Sequence, residues 1–170
     1  MSLSMYQASI PLLTHSLNNL LGILSKAESF AEQKKIASET LVNSRLAIDM
    51  LPLIKQVQIA CDTAKGCGAR LTGIDNPRFE DDEKTLSELK GRVEKTLTFL
   101  QKLEEQQFAG SEERAIQLNF PSITLNFNGR DYLTQFVLPN FYFHVTTAYA
   151  ILRHVGVELG KLDYLGRVGA

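Results

Sequence analysis

Apolar side chains recur at three- and four-residue steps through the first stretch of the chain, at Met5, Ile10, Leu13, Leu17, Leu20, Leu21 and Leu24. That spacing puts them on one face of a 3.6-residue repeat and predicts an amphipathic helix over residues 3–27, with Pro11 as a kink or restart point. The more polar stretch 28–44 predicts a short connecting helix, over either 31–35 or 38–45. A second long helix is signalled by Asp49 as its N-cap and Pro52 in its first turn, followed by the stripe Leu53, Ile54, Val57, Ala60, Cys61, Ala64 and Leu71. Asp49, Gln56, Thr63 and Arg70 stand seven residues apart and form a polar line, which is either a solvated edge or the wall of an inter-helix pocket. Gly66 and Gly68 weaken this helix, and Gly73 predicts its end. A third helix over 82–107 carries Leu86, Leu89, Val93, Leu97, Leu100 and Leu103, with Glu88, Lys90, Arg92, Glu94 and Lys95 read as a solvated charged face.

The period then changes from helical to two. Ile116, Leu118 and Phe120 alternate with polar residues, and Ile123, Leu125 and Phe127 repeat the pattern across Pro121-Ser122, which predicts two short strands in a hairpin. A fourth helical region is expected from Asp131, interrupted at Pro139 and continuing to Arg153 before Gly156 stops it. The tail from Val157 is expected to be an extended segment packed over the helices. Four long helical segments imply an all-α, up-and-down four-helix bundle with at least one longer crossover and a small β-hairpin-like insertion between the third and fourth helices. It would form a single domain over 1–170.

Charge and composition narrow the partners. The 170 residues carry 18 Lys+Arg against 19 Asp+Glu, a formal net charge of -1, so no global basic field is present to hold nucleic acid or an anionic membrane. No secretory signal pattern opens the chain, and no run reaches the ~18 apolar residues of a membrane span. A cytoplasmic protein is the expectation. Cys61 and Cys67, on one helix, are rotated by ~240° and separated by ~9 Å along the axis, too far apart to form a disulfide.

Candidate chemistry is sparse. No Gly-x-Ser-x-Gly elbow, phosphate-binding glycine loop or His-Glu-x-x-His helix is present. The histidines are His15, His144 and His154, and the last two, ten residues apart on one helix, cannot share a small metal ion. Asn140 and His144 are four apart, which places them on one face, one turn from each other.

The stretches NFYFHVTTAYAILRHVG, RLAIDMLPLIKQVQIACDTAKGCGARLTG and LGKLDYLG resemble a bacterial domain-of-unknown-function family in the DinB/YfiT-like metalloenzyme superfamily. The resemblance implies a four-helix bundle, a homodimer, and a divalent metal held by three histidines, used in some members to transfer low-molecular-weight thiols. Anchored on Arg153 and Gly156, the superfamily's fourth-helix His-x-x-x-His pattern places Asn140 on the first histidine and His144 on the second. The second-helix histidine falls near Gln56 to Ile59, where Gln56 or Gln58 is the nearest polar residue. Two amides and one imidazole match zinc or nickel poorly. Two functions follow: a metal-free small-ligand-binding or interaction protein whose pocket is lined by Asp49, Gln56, Asn140 and His144, or a metal-dependent, thiol-transferase-like enzyme using His144 on Zn, Ni or Mn.

Overall fold

The computed structural model describes residues 3–167 and is mostly helical, with one small antiparallel sheet. In chain order the helices are α1 (Ile10–Lys34), α2 (Ser38–Val42), α3 (Leu53–Thr72) and α4 (Leu86–Leu100), followed by 3-10 turns at Glu105–Phe108 and Ser111–Glu113. Strands β1 (Ile116–Asn119) and β2 (Thr124–Phe127) come next, then α5 (Gly129–Asp131), a π-helical segment Tyr132–Val137, α6 (Leu138–His154) and α7 (Lys161–Leu165).

Both prolines predicted to disturb helices are accommodated at helix starts. Pro11 lies in the first turn of α1, where its missing N–H has no intrahelical partner, so the helix begins there instead of kinking. Pro139 lies in the first turn of α6, and the π-helical turns before it carry the chain through without the expected interruption. The N-cap of α3 is Pro52 rather than Asp49, and α3 starts only at Leu53. Helix α4 is shorter than its apolar pattern, fixed at Thr85 by a reciprocal capping box with Glu88. The hairpin pairs Ile116 with Phe127 and Asn119 with Thr124. The tail forms α7, packed on α1, in place of an extended segment.

The leucine stripe of α1 packs chiefly on α4, and α3 packs on both α6 and α4, burying one apolar core. Gly68 of α3 lets this packing close, since a Cβ there would stand 2.5 Å from Leu103 Cδ1. Helix directions follow from side-chain pairs. Gln56–His144 and Thr63–Asn140 make α3 and α6 antiparallel. Glu28–Lys90, with Tyr6 against Phe108 further on, makes α1 and α4 antiparallel. Asp62–Arg92, with Gly68 against Leu100, makes α3 and α4 parallel. The order is therefore up, down, down, up, which corrects the alternating up-and-down expectation. Parallel neighbours need a long return, and residues 73–85 supply it as an extended strap running back along both helices.

Candidate functional site

Two polar seams flank α3, one against α6 and one against α4. Along the first, three members of the seven-residue polar line each meet a partner. Gln56 Oε1 lies 2.7 Å from His144 Nδ1, Asn140 Nδ2 donates to Thr63 Oγ1 at 2.8 Å, and Arg70 Nη1 donates to the Tyr132 hydroxyl at 3.1 Å. The line is thus neither a solvated edge nor an open wall but a ladder of cross-helix hydrogen bonds. Asp49 is not part of it. It sits in the exposed turn before α3, because the helix begins four residues after it.

His144 is 8% exposed and Gln56 1%. The Gln56 amide donates through Nε2 to the Leu51 carbonyl at 2.9 Å, which leaves its Oε1 as the acceptor facing the imidazole. His144 must then carry its proton on Nδ1, and Nε2 is the free acceptor. Burial disfavours the imidazolium and lowers the pKa of His144 below its ordinary 6.5. The Phe143 ring stands edge-on to this imidazole at 5.2 Å and is itself 55% exposed, and Leu51 is also exposed. His144 is therefore a neutral imidazole with Nε2 as its remaining acceptor, beside the exposed Phe143 ring.

The other histidines are elsewhere. Exposed His15 bonds through Nε2 to the Leu165 carbonyl at 2.7 Å, helping to hold α7, and His154 is exposed at the end of α6. Among the described residues no group of three or more His, Cys, Asp or Glu side chains is placed to hold a metal ion. The Gln56, Asn140 and His144 set does not fit a DinB-type zinc or nickel centre: Asn140 already donates to Thr63, Nδ1 is closed by Gln56, and one imidazole nitrogen remains. Four surface cavities of about 280 to 650 Å³ are lined by none of these three residues. Burial pushes both Cys61 and Cys67 thiols up to about 12, so neither supplies a nucleophile near neutral pH.

The second seam was not legible as a site. Arg92, expected on a solvated face, has a side chain only 1% exposed. Its Nη2 meets Asp62 and Asp81 at 3.0 Å each, while its Nη1 donates to Glu83 and to the Glu80 carbonyl, both at 2.9 Å. Gln58 Nε2 also donates to Glu83, at 2.7 Å. Lys65, with its side chain 6% exposed, pairs with Asp62 and stands 4.2 Å from the centroid of the Phe79 ring, as does Lys95. Burial works to raise the Asp81 carboxyl, but Lys55 and Arg92 together outweigh it and hold the group below its ordinary value. The signal was in the register: Arg92 follows Leu89 by three and precedes Thr96 by four, in line with the buried face.

Comparison with known families matches residues 5–165 to the Domain of unknown function (DUF1993). The chain is similar to a solved structure described as the crystal structure of a DinB family member protein from Shewanella denitrificans. The two share 46% sequence identity over 98% of this chain and 94% of that chain, with a TM-score of 0.88. No curated protein matches it.

Proposed function

The chain belongs to the DUF1993 family of DinB-like proteins, and we propose that it is a metal-free binding protein built on the DinB-type four-helix bundle. Its ligand is a small molecule or partner side chain that donates a hydrogen bond to His144 Nε2 and packs on Leu51 and Phe143. The observation that carries this reading is the 2.7 Å Gln56–His144 hydrogen bond. It occupies one ring nitrogen with a neutral amide from the stretch Gln56 to Ile59, near which the resemblance places a histidine ligand, and it leaves the other nitrogen as an acceptor. The ligand-binding role keeps Gln56 and Asn140 as positioning residues and leaves Asp49 outside the contact zone. A homodimer is implied by the resemblance.

Two measurements test the reading. In a thermal-shift screen of small hydrogen-bond donors with an aromatic or aliphatic body, hits stabilise the parent, and His144→Ala abolishes the shift. Metal analysis of untagged protein gives substoichiometric Zn, Ni and Mn. One equivalent of metal, lost in His144→Ala, would overturn the proposal in favour of a metal-dependent, thiol-transferase-like enzyme.

A further inference from the structure

The strap between α3 and α4 is fastened in an unusual way. Among the described residues no main-chain group from Asp75 to Lys84 bonds to another main-chain group, and none of these ten is fully buried. What holds it is charge: Asp81 on Lys55 at 2.9 Å, Asp81 and Glu83 on Arg92, and Phe79 against the Lys65 and Lys95 ammonium groups. Beneath it lie four cations, Lys55, Lys65, Arg92 and Lys95, of which Lys65 and Arg92 pair with Asp62 of α3. Among the described residues Arg92 Nε is buried without a hydrogen-bond partner, as are the acceptors Gln58 Oε1 and Asp62 Oδ1, the latter 3.0 Å from Lys65 Nζ, so the strap fills this niche incompletely. A cavity of about 280 Å³ opens beside it, its cations Arg78, Arg92 and Lys95 matched by the strap's own Glu80, Asp82 and Glu83.

The strap also has slack. Its twelve steps from Gly73 to Thr85 reach ~40 Å when extended, against the ~25 Å of α3 that it must retrace. It can lift from the niche without unwinding either helix.

We propose that the niche under the strap is a binding site for a small dianion, a phosphate ester or a dicarboxylate, and that Asp81 and Glu83 are its built-in occupants. An incoming dianion replaces Asp81 on Lys55 and Arg92 and Glu83 on Arg92, and the strap swings out. Arg92 supplies the planar fork suited to paired oxygens, and the lysines supply point charges. The site lies on the α4 side of α3 and is independent of the His144 reading.

The chain has no tryptophan, so Phe79→Trp places a single reporter on the strap. Titration with inorganic pyrophosphate is expected to move its emission saturably to longer wavelength, whereas sodium chloride of equal ionic strength does not. Malonate in a parallel titration separates a dicarboxylate preference from a phosphate one. Adding Asp81→Asn and Glu83→Gln should lower the half-saturating pyrophosphate concentration at least tenfold, and adding Arg92→Gln instead should remove the response. An emission insensitive to both anions, or equally sensitive to chloride, overturns the proposal, as does a response that survives Arg92→Gln. If the strap variants fail to fold, the Phe79→Trp titration against chloride decides alone.

Discussion

Replacing Arg92 with methionine tests whether the α3–α4 seam is held by its buried cation. The guanidinium makes four contacts, to Asp62, Asp81, Glu83 and the Glu80 carbonyl, and methionine fills much of its volume while making none of them. Removing one partner of a buried ion pair costs ~3–5 kcal/mol, most of it the penalty of the charge left behind. Here that penalty falls mainly on Glu83, whose side chain is 10% exposed, because Asp62 and Asp81 are 44% and 45% exposed and regain water. The expected loss is therefore at the low end, about 3 kcal/mol, or roughly 6–12 °C in melting temperature for a chain of this size. Urea denaturation at pH 7 measures it. The pH dependence gives a second readout. The Asp81 carboxyl is held below its ordinary 3.8, so its pairing stabilises the fold above that value and the contribution is lost as pH falls through the lower folded value. Arg92→Met should flatten that acid limb. A loss under ~1 kcal/mol with an unchanged acid limb would mean the cluster behaves as ordinary surface charge, and the burial argument would fail.

Gln56→Leu leaves the buried His144 Nδ1–H without a partner, for an expected loss of ~1–3 kcal/mol by denaturant titration; a neutral result would show that water replaces the amide. The lowered pKa of His144 means the unfolded chain binds the proton more readily, so stability should fall as pH drops below 6.5 towards the folded value. His144→Phe should remove that slope between pH 7 and 5, and an identical slope in the variant would assign it to other groups. With both thiols buried and raised to about 12, a thiol reagent at pH 8 should label Cys61 and Cys67 only at the rate of global unfolding; prompt labelling of either would contradict their burial.

The long helices were legible because periodicity reports burial directly: Leu13, Leu17, Leu20 and Leu24 appear in sequence as the stripe that α1 buries. The hairpin was legible for the same reason, its alternating Ile116 and Leu118 facing inward. Helix direction was not legible. Nothing in the apolar pattern of α3 and α4 distinguishes a parallel from an antiparallel pair, and the relevant clue, a connection long enough to retrace a helix, lay in the length of residues 73–85. The seven-residue spacing of Gln56, Thr63 and Arg70 marks a cross-helix ladder, not the solvated edge or pocket wall expected of it, and Asp49 extends the spacing into a segment that Pro52 keeps out of the helix. Arg92 was missed because the residue type was read before the register. A long cationic side chain on a buried face signals an acidic partner from another segment, which here is the strap that carries Asp81 and Glu83.

The parallel pairing of α3 and α4 gives those acids a second role. Two parallel helices bring both N-termini, each with unpaired N–H groups and the positive end of its dipole, to the same end of the molecule. Antiparallel neighbours would offset each other; these add. Carboxylates gather at that end: Asp81 beside Lys55 in the first turn of α3, Glu83 on Gln58, and Glu88 capping α4, its carboxyl held below the ordinary value first by the Lys84 backbone N–H. The strap thus returns the chain and also delivers negative charge to the end where the topology concentrates positive potential. That accounts for a segment with almost no apolar anchor being held in place. A small anion that matches Asp81 and Glu83 in charge and geometry would meet the same cations once they leave, since Lys55 and Arg92 belong to α3 and α4, which the strap covers but does not create.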